Sequence, residues 1–100
     1  MYGTVAKMKA NPGSGSFLVE MGRQLDNDPP PGMVAMMVYQ MDADPNEYMM
    51  AVVFEDRESY VRNAESPEQH ARYEEYRAWL AEDPEWHDGE VVNVRGSLGA

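Results

Sequence analysis

The sequence predicts an α+β domain in the order βαββαβ, with one antiparallel four-stranded sheet. Three observations carry that prediction. Two apolar segments, 33–41 and 47–55, flank the turn-forming Asp42-Ala43-Asp44-Pro45-Asn46, which is the pattern of an antiparallel hairpin. Before them, Tyr2, Thr4, Ala6 and Met8 alternate with Gly3, Val5, Lys7 and Lys9, as side chains do along a strand. After them, Ser66-Pro67-Glu68-Gln69 opens a helix: Ser66 caps it, Pro67 takes the first position where no N–H is needed, and Gln69 is placed to complete a capping box.

The remaining elements follow in order. Asn11-Pro12-Gly13-Ser14-Gly15 breaks the first strand, and a helix over 16–26 places Phe17 or Leu18, Met21 and Leu25 on one stripe. Asp26-Asn27-Asp28-Pro29-Pro30-Pro31-Gly32 is a loop, because three successive prolines fit neither a helix interior nor a central strand. Both hairpin strands are apolar on both faces: Met33, Ala35, Met37, Tyr39 and Met41 against Val34, Met36 and Val38, then Met49, Ala51 and Val53 against Tyr48, Met50, Val52 and Phe54. Antiparallel sheets usually keep one face wet, so a second copy of the chain is the economical cover for the spare face. Asp56 caps a short helix to about residue 65 that carries Tyr60, Val61 and Ala64. In the long helix that follows, Tyr73, Tyr76 and Leu80 form an aromatic seam with Gln69 and Trp79 at its margins, and the helix stops before Asp83-Pro84. Asp88-Gly89 then turns the chain into a last strand over 90–95. The domain occupies 1–95, and 96–100 form a loosely held tail.

With 100 residues the chain has room for one core and is marginal without a partner. No apolar run approaches the roughly 18 residues of a membrane span, and the amino end lacks the basic and apolar regions of a signal peptide. The expectation is a cytoplasmic protein. The absence of cysteine removes disulfides, thiol nucleophiles and cysteine metal sites together. A net charge of −10 argues against nucleic acid, because phosphate binding needs clustered Lys and Arg. Residues 1–50 hold three basic and six acidic residues, and 51–100 hold five and twelve, so the acidity falls on the later helices as a solvated face.

The candidate site lies between the sheet and the long helix. His70 is the histidine of that helix, imidazole is the side-chain type that exchanges a proton around neutrality, and Tyr73 stands one turn on. The two read either as base and hydrogen-bond donor or as a surface histidine and a core tyrosine. Phe54, Tyr60 and Trp79 are candidate walls. Trp86 either stacks on a ligand or plugs the end of the sheet. His70 and His87 lack metal-ligand spacing, and Gly13-Ser14-Gly15 lacks the further glycine or the Lys-Ser/Thr of a nucleotide loop. Neither a metal nor a cofactor is expected.

The element order is ferredoxin-like. Beyond it, the chain resembles the antibiotic biosynthesis monooxygenase-like family of the dimeric α+β barrel class. The resemblance rests on the first strand with Gly3-Thr4-Val5-Ala6-Lys7-Met8-Lys9, on Val52-Val53-Phe54-Glu55-Asp56-Arg57-Glu58-Ser59-Tyr60, on Asn63-Ala64-Glu65-Ser66-Pro67-Glu68-Gln69, and on Asp83-Pro84-Glu85-Trp86-His87-Asp88-Gly89-Glu90-Val91. It covers about residues 2–94. The resemblance implies a homodimer whose sheets pack into a shared barrel. It also implies cofactor-free oxygen chemistry, in which a small or polycyclic aromatic of quinol or anthrone type is deprotonated and its anion reduces O2. A different outcome of the same fold is a non-catalytic homodimer that binds a small ligand or serves as a structural module. Haem-degrading relatives use an asparagine on the first strand, a tryptophan ending the third and a histidine late in the following helix. Here the first strand has no asparagine, and the other two positions fall on Phe54 and near Tyr73, so the resemblance does not extend to haem.

Overall fold

Strand β1 (Tyr2–Lys9) is paired along both edges and forms the centre of the sheet. In the computed structural model, which describes residues 1–96, the chain continues through α1 (Gly15–Asn27), β2 (Met33–Gln40), β3 (Glu47–Phe54), α2 (Arg57–Ala64), α3 (Pro67–Arg77) and β4 (Glu85–Glu90). The strand order is β2-β3-β1-β4 and every neighbouring pair is antiparallel. This is the ferredoxin-like α+β fold read from the sequence. The central position of β1 depends on Gly3, since a Cβ there would overlap the backbone carbonyl of Val52 on the adjacent strand.

The three helices pack on one face of the sheet. Thr4, Ala6 and Met8 of β1 and Tyr48, Val52 and Phe54 of β3 are buried beneath them, and the core continues through Leu18 and Met21 of α1 and Tyr76 of α3. A bulge at Val34 interrupts the β2/β3 register between Met33 and Ala35. The extra residue keeps Met33 on the helix side, opposite Phe54. On the other face, register brings Met37 beside Ala51, Ala51 beside Val5 and Tyr39 beside Met49. Val5, Met37 and Tyr39 are 45%, 43% and 54% exposed there, which leaves an apolar patch bounded by Lys7, Glu85 and His87 on the β1/β4 side.

The helix starts follow the sequence. Asp56 accepts from the Ser59 N–H at 2.8 Å, and Ser59 completes a capping box. Ser66 accepts from the Gln69 N–H at 3.1 Å, but Gln69 does not reach back to Ser66. Its side-chain oxygen instead accepts from Arg72 Nε at 3.3 Å. The loop after α1 is also shorter than 26–32, because the helix runs through Asn27.

Two boundaries differ for tertiary reasons. Helix α3 ends at Arg77, five residues before the predicted stop at Glu82. The chain is pulled out of the helix there: the Asn11 N–H bonds Trp79 O at 2.8 Å, the Ala81 N–H bonds Lys9 O at 2.8 Å, and Leu80 forms an antiparallel bridge with Ala10. Arg77 fastens the exit by donating to Asp83 Oδ1 at 2.8 Å and to the Leu80 carbonyl at 3.1 Å. Leu80 is therefore core through this bridge and not through a helical seam.

The last strand is Glu85–Glu90, not 90–95, and Asp88-Gly89 lies within it instead of turning into it. Pairing decides this. In the register, Tyr2 faces Glu90 and Lys7 faces Glu85, and the last rung is the Val91 N–H to Met1 O at 2.9 Å. The pairing ends there, and residues 91–95 form no strand. Of the predicted tail, residues 97–100 lie outside the described residues.

Candidate functional site

Between the helix-side face of the sheet and the three helices lies a cavity of about 490 Å³. Its floor is set by strand alternation: Thr4 and Met8 from β1, Met36 and Val38 from β2, Tyr48, Met50, Val52 and Phe54 from β3. Leu18, Met21 and Leu25 close it from α1, Tyr60 and Asn63 from α2, and His70, Tyr73 and Tyr76 from α3. Five of the nine methionines line it (Met8, Met21, Met33, Met36 and Met50). Unbranched thioether side chains repack at little cost, so this wall can adapt to a guest. The cavity lies within the 300–1,000 Å³ range, roughly, of small-molecule sites, and its mostly apolar lining with a few polar groups has their chemistry.

Five of the six residues singled out from sequence border this cavity. Phe54 is fully buried and meets Tyr60 edge-on, with ring centroids 5.6 Å apart. Tyr73 packs edge-to-face on Tyr76 at 5.3 Å and 84°. Trp86 enters from β4, where it pairs opposite Ala6 and so shares the helix-side face. His70 stands at the rim, with its side chain 72% exposed and its Nε2 3.0 Å from Glu74 Oε1. The sequence reading linked neither histidine to a carboxylate. The i,i+4 spacing of His70 and Glu74 and the i,i+2 spacing of Glu85 and His87 create both contacts.

Trp79 is the exception, and its place as a wall residue is corrected. Because α3 ends at Arg77, Trp79 leaves the inward stripe and stacks on Phe17 at 5.3 Å with the rings inclined by 26°. It lies outside the cavity lining.

The polar groups of the cavity are few, and two were missed in the sequence. Asp88 was read as a turn residue, yet as part of β4 it lies opposite Thr4 and receives a 2.7 Å hydrogen bond from the Tyr60 hydroxyl. Spacing held the signal, because Trp86 and Asp88 are two apart and share a face once the strand is placed at 85–90. Burial first, and then the bond to Asp88, push the Tyr60 phenol up to about 12. It therefore remains an O–H donor throughout the physiological range. The second missed group is Thr4, whose buried hydroxyl makes no hydrogen bond of standard geometry but lies beside the Tyr60 phenol and pulls its pKa the other way. The Tyr76 hydroxyl is likewise buried and unpartnered, and burial holds its phenol above the usual range. Arg72 and Gln69 complete the polar rim. Among the described residues, no three His, Asp or Glu side chains converge as metal ligands, and no helix is long and apolar enough to cross a membrane.

No protein-family model and no curated protein matches the chain. Solved structures do. A protein from Chloroflexus aurantiacus, named as a candidate antibiotic biosynthesis monooxygenase, superposes with a TM-score of 0.77 at 26% identity, over 95% of this chain and 96% of that one. A similarly named protein from Nitrosomonas europaea matches with a TM-score of 0.77 at 16% identity, over 93% of this chain and all of its own. SnoaB, a cofactor-independent oxygenase from Streptomyces nogalater, matches with a TM-score of 0.77 at 16% identity, over 93% and 94% of the two chains.

Proposed function

We propose, from the premise that this chain is antibiotic biosynthesis monooxygenase-like in fold, that it is a cofactor-independent monooxygenase acting on a small or polycyclic aromatic of quinol or anthrone type. The observation that carries the proposal is the adaptable, mostly apolar cavity of about 490 Å³ with aromatic walls at Phe54, Tyr60, Tyr73 and Trp86. Such a wall suits a flat aromatic guest. The name of the SnoaB neighbour supports the absence of a cofactor.

In the chemistry proposed, an anthrone-like methylene loses a proton to a base. The carbanion passes an electron to O2, the radical pair joins as a peroxide, and loss of water leaves a carbonyl. One oxygen atom stays in the product and the other leaves as water, with both methylene hydrogens. His70 is assigned as the base and Tyr73 as a donor to the developing oxyanion. Glu74 at 3.0 Å orients the imidazole. Assembly as a homodimer through the outer sheet face belongs to the same proposal. It is supported by the exposed apolar patch around Val5, Met37 and Tyr39, which a single chain in water rarely leaves open.

The test is oxygen uptake by metal-free protein across a panel of anthrones and hydroquinones. Turnover with one O2 consumed per product, lowered by about 10² to 10⁴ in His70→Ala, is the expected result. The exposure of the His70 imidazole favours a second reading, a homodimeric module that binds a small ligand without transforming it. Saturable binding with no uptake across the panel establishes that reading in place of the first.

A further inference from the structure

The polar groups facing this apolar cavity are not scattered evenly. At the β1/β4 end, Tyr60 donates to Asp88 Oδ1 at 2.7 Å, and Asp88 lies directly across the strand pair from Thr4. Thr4 is 6% exposed, its hydroxyl makes no hydrogen bond of standard geometry, and it lies near enough to the Tyr60 phenol to oppose the rise in that group's pKa. A buried hydroxyl without a partner is uncommon in folded proteins and asks for an explanation. Tyr60 is restricted to one role, because its proton is committed to Asp88. The carboxylate is not used up: among the described residues Tyr60 is its one hydrogen-bond partner, and an ionised carboxylate accepts several bonds.

We infer that Thr4, Tyr60 and Asp88 form an anchoring subsite for a hydroxyl group carried by an aromatic ligand. The ligand O–H donates to the free Asp88 oxygen, its oxygen gives Thr4 the acceptor it lacks, and its ring lies along the aromatic wall between Tyr60 and Trp86. A phenol satisfies every group of the cluster. An aryl ether has no proton to give Asp88, and a plain arene leaves both groups unmet. Tyr60 is the positioning residue, since its hydroxyl fixes the Asp88 carboxylate without touching the ligand oxygen. The subsite rests on the ligand-binding half of the proposed function and on no step of oxygen chemistry.

The experiment is calorimetric titration under nitrogen with 1-naphthol and 1-methoxynaphthalene, which reads binding in the absence of turnover. Wild-type protein is expected to prefer the naphthol by about tenfold or more, the size of a charge-assisted hydrogen bond. Asp88→Leu should erase the preference, and isosteric Asp88→Asn should reduce it several-fold should the leucine variant fail to fold. Tyr60→Phe should weaken it in part. Equal affinity for the two probes in wild type, a preference that survives loss of Asp88, or no binding of either probe overturns the subsite. A preserved naphthol preference in a protein that consumes no O2 refutes the oxygenase reading and leaves the subsite standing.

Discussion

Replacing Tyr76 by phenylalanine should make the protein more stable. Tyr76 is 6% exposed and its hydroxyl finds no hydrogen-bond partner, so folding strips that oxygen of water and returns nothing. Such an orphan costs about 1–3 kcal/mol. Phenylalanine keeps the ring and its edge-to-face contact with Tyr73 at 5.3 Å. The void left by one oxygen offsets part of the gain, which leaves a net stabilisation of about 1 kcal/mol. In a domain of this size that raises the melting temperature by roughly 4–8 °C. The assay is thermal and urea unfolding of ligand-free protein followed by circular dichroism. A second arm uses pH. Burial holds the Tyr76 phenol above its ordinary value of 10.0, so above that pH the folded state retains a proton the unfolded state has lost. Stability from this source is whole below pH 10 and declines as pH rises towards the folded value. Tyr60, raised to about 12, acts in the same direction. Tyr76→Phe should therefore lose less stability than wild type between pH 10 and 12. A loss of about 1 kcal/mol or more at neutral pH, or an unchanged alkaline slope, would show that the hydroxyl is hydrogen-bonded and refute the reasoning.

Three further outcomes are expected. Gly3→Ala should abolish the native fold or collapse its melting temperature, because the new methyl group meets the Val52 carbonyl, which belongs to backbone and cannot rotate away; a normal melt would contradict that packing. The backbone N–H of Ser59, and then its hydroxyl, hold the Asp56 carboxyl below its ordinary value of 3.8. The cap's contribution is present above that pH and lost as pH falls through the folded value, so Asp56→Ala should be less stable than wild type at pH 6 and should converge with it in acid titrations. Placing aspartate at both Met37 and Ala51, neighbours on the outer face, should yield monomer or unfolded chain by light scattering, if the proposed dimer, expected to bury upwards of roughly 2,000 Å², forms in wild type; a folded wild-type monomer at micromolar concentration would end the dimer proposal.

What the sequence determined by itself is whatever local chemistry controls. The alternation of residues 2–9, the Asp56 and Ser66 caps and the turn between Met41 and Glu47 fixed where strands and helices begin, since capping and side-chain period act over a few residues. Hence β1, the hairpin and both helix starts lie where they were read, while Phe54, Tyr60, Tyr73 and Trp86 border one cavity. Tertiary structure decided where elements end. Helix α3 stops at Arg77 because β1 and the Ala10–Asn11 segment recruit the backbone of residues 79–81, and Trp79 is turned away from the cavity with it. Strand β4 lies at Glu85–Glu90 because an edge strand goes where β1 has unpaired backbone, and Asp88-Gly89, a turn by local propensity, is straightened by that pairing. The same shift carries Asp88 from a supposed turn to within 2.7 Å of Tyr60. A contact between residues 28 positions apart has no local signature, because it depends on the register of a strand that only the assembled sheet can set.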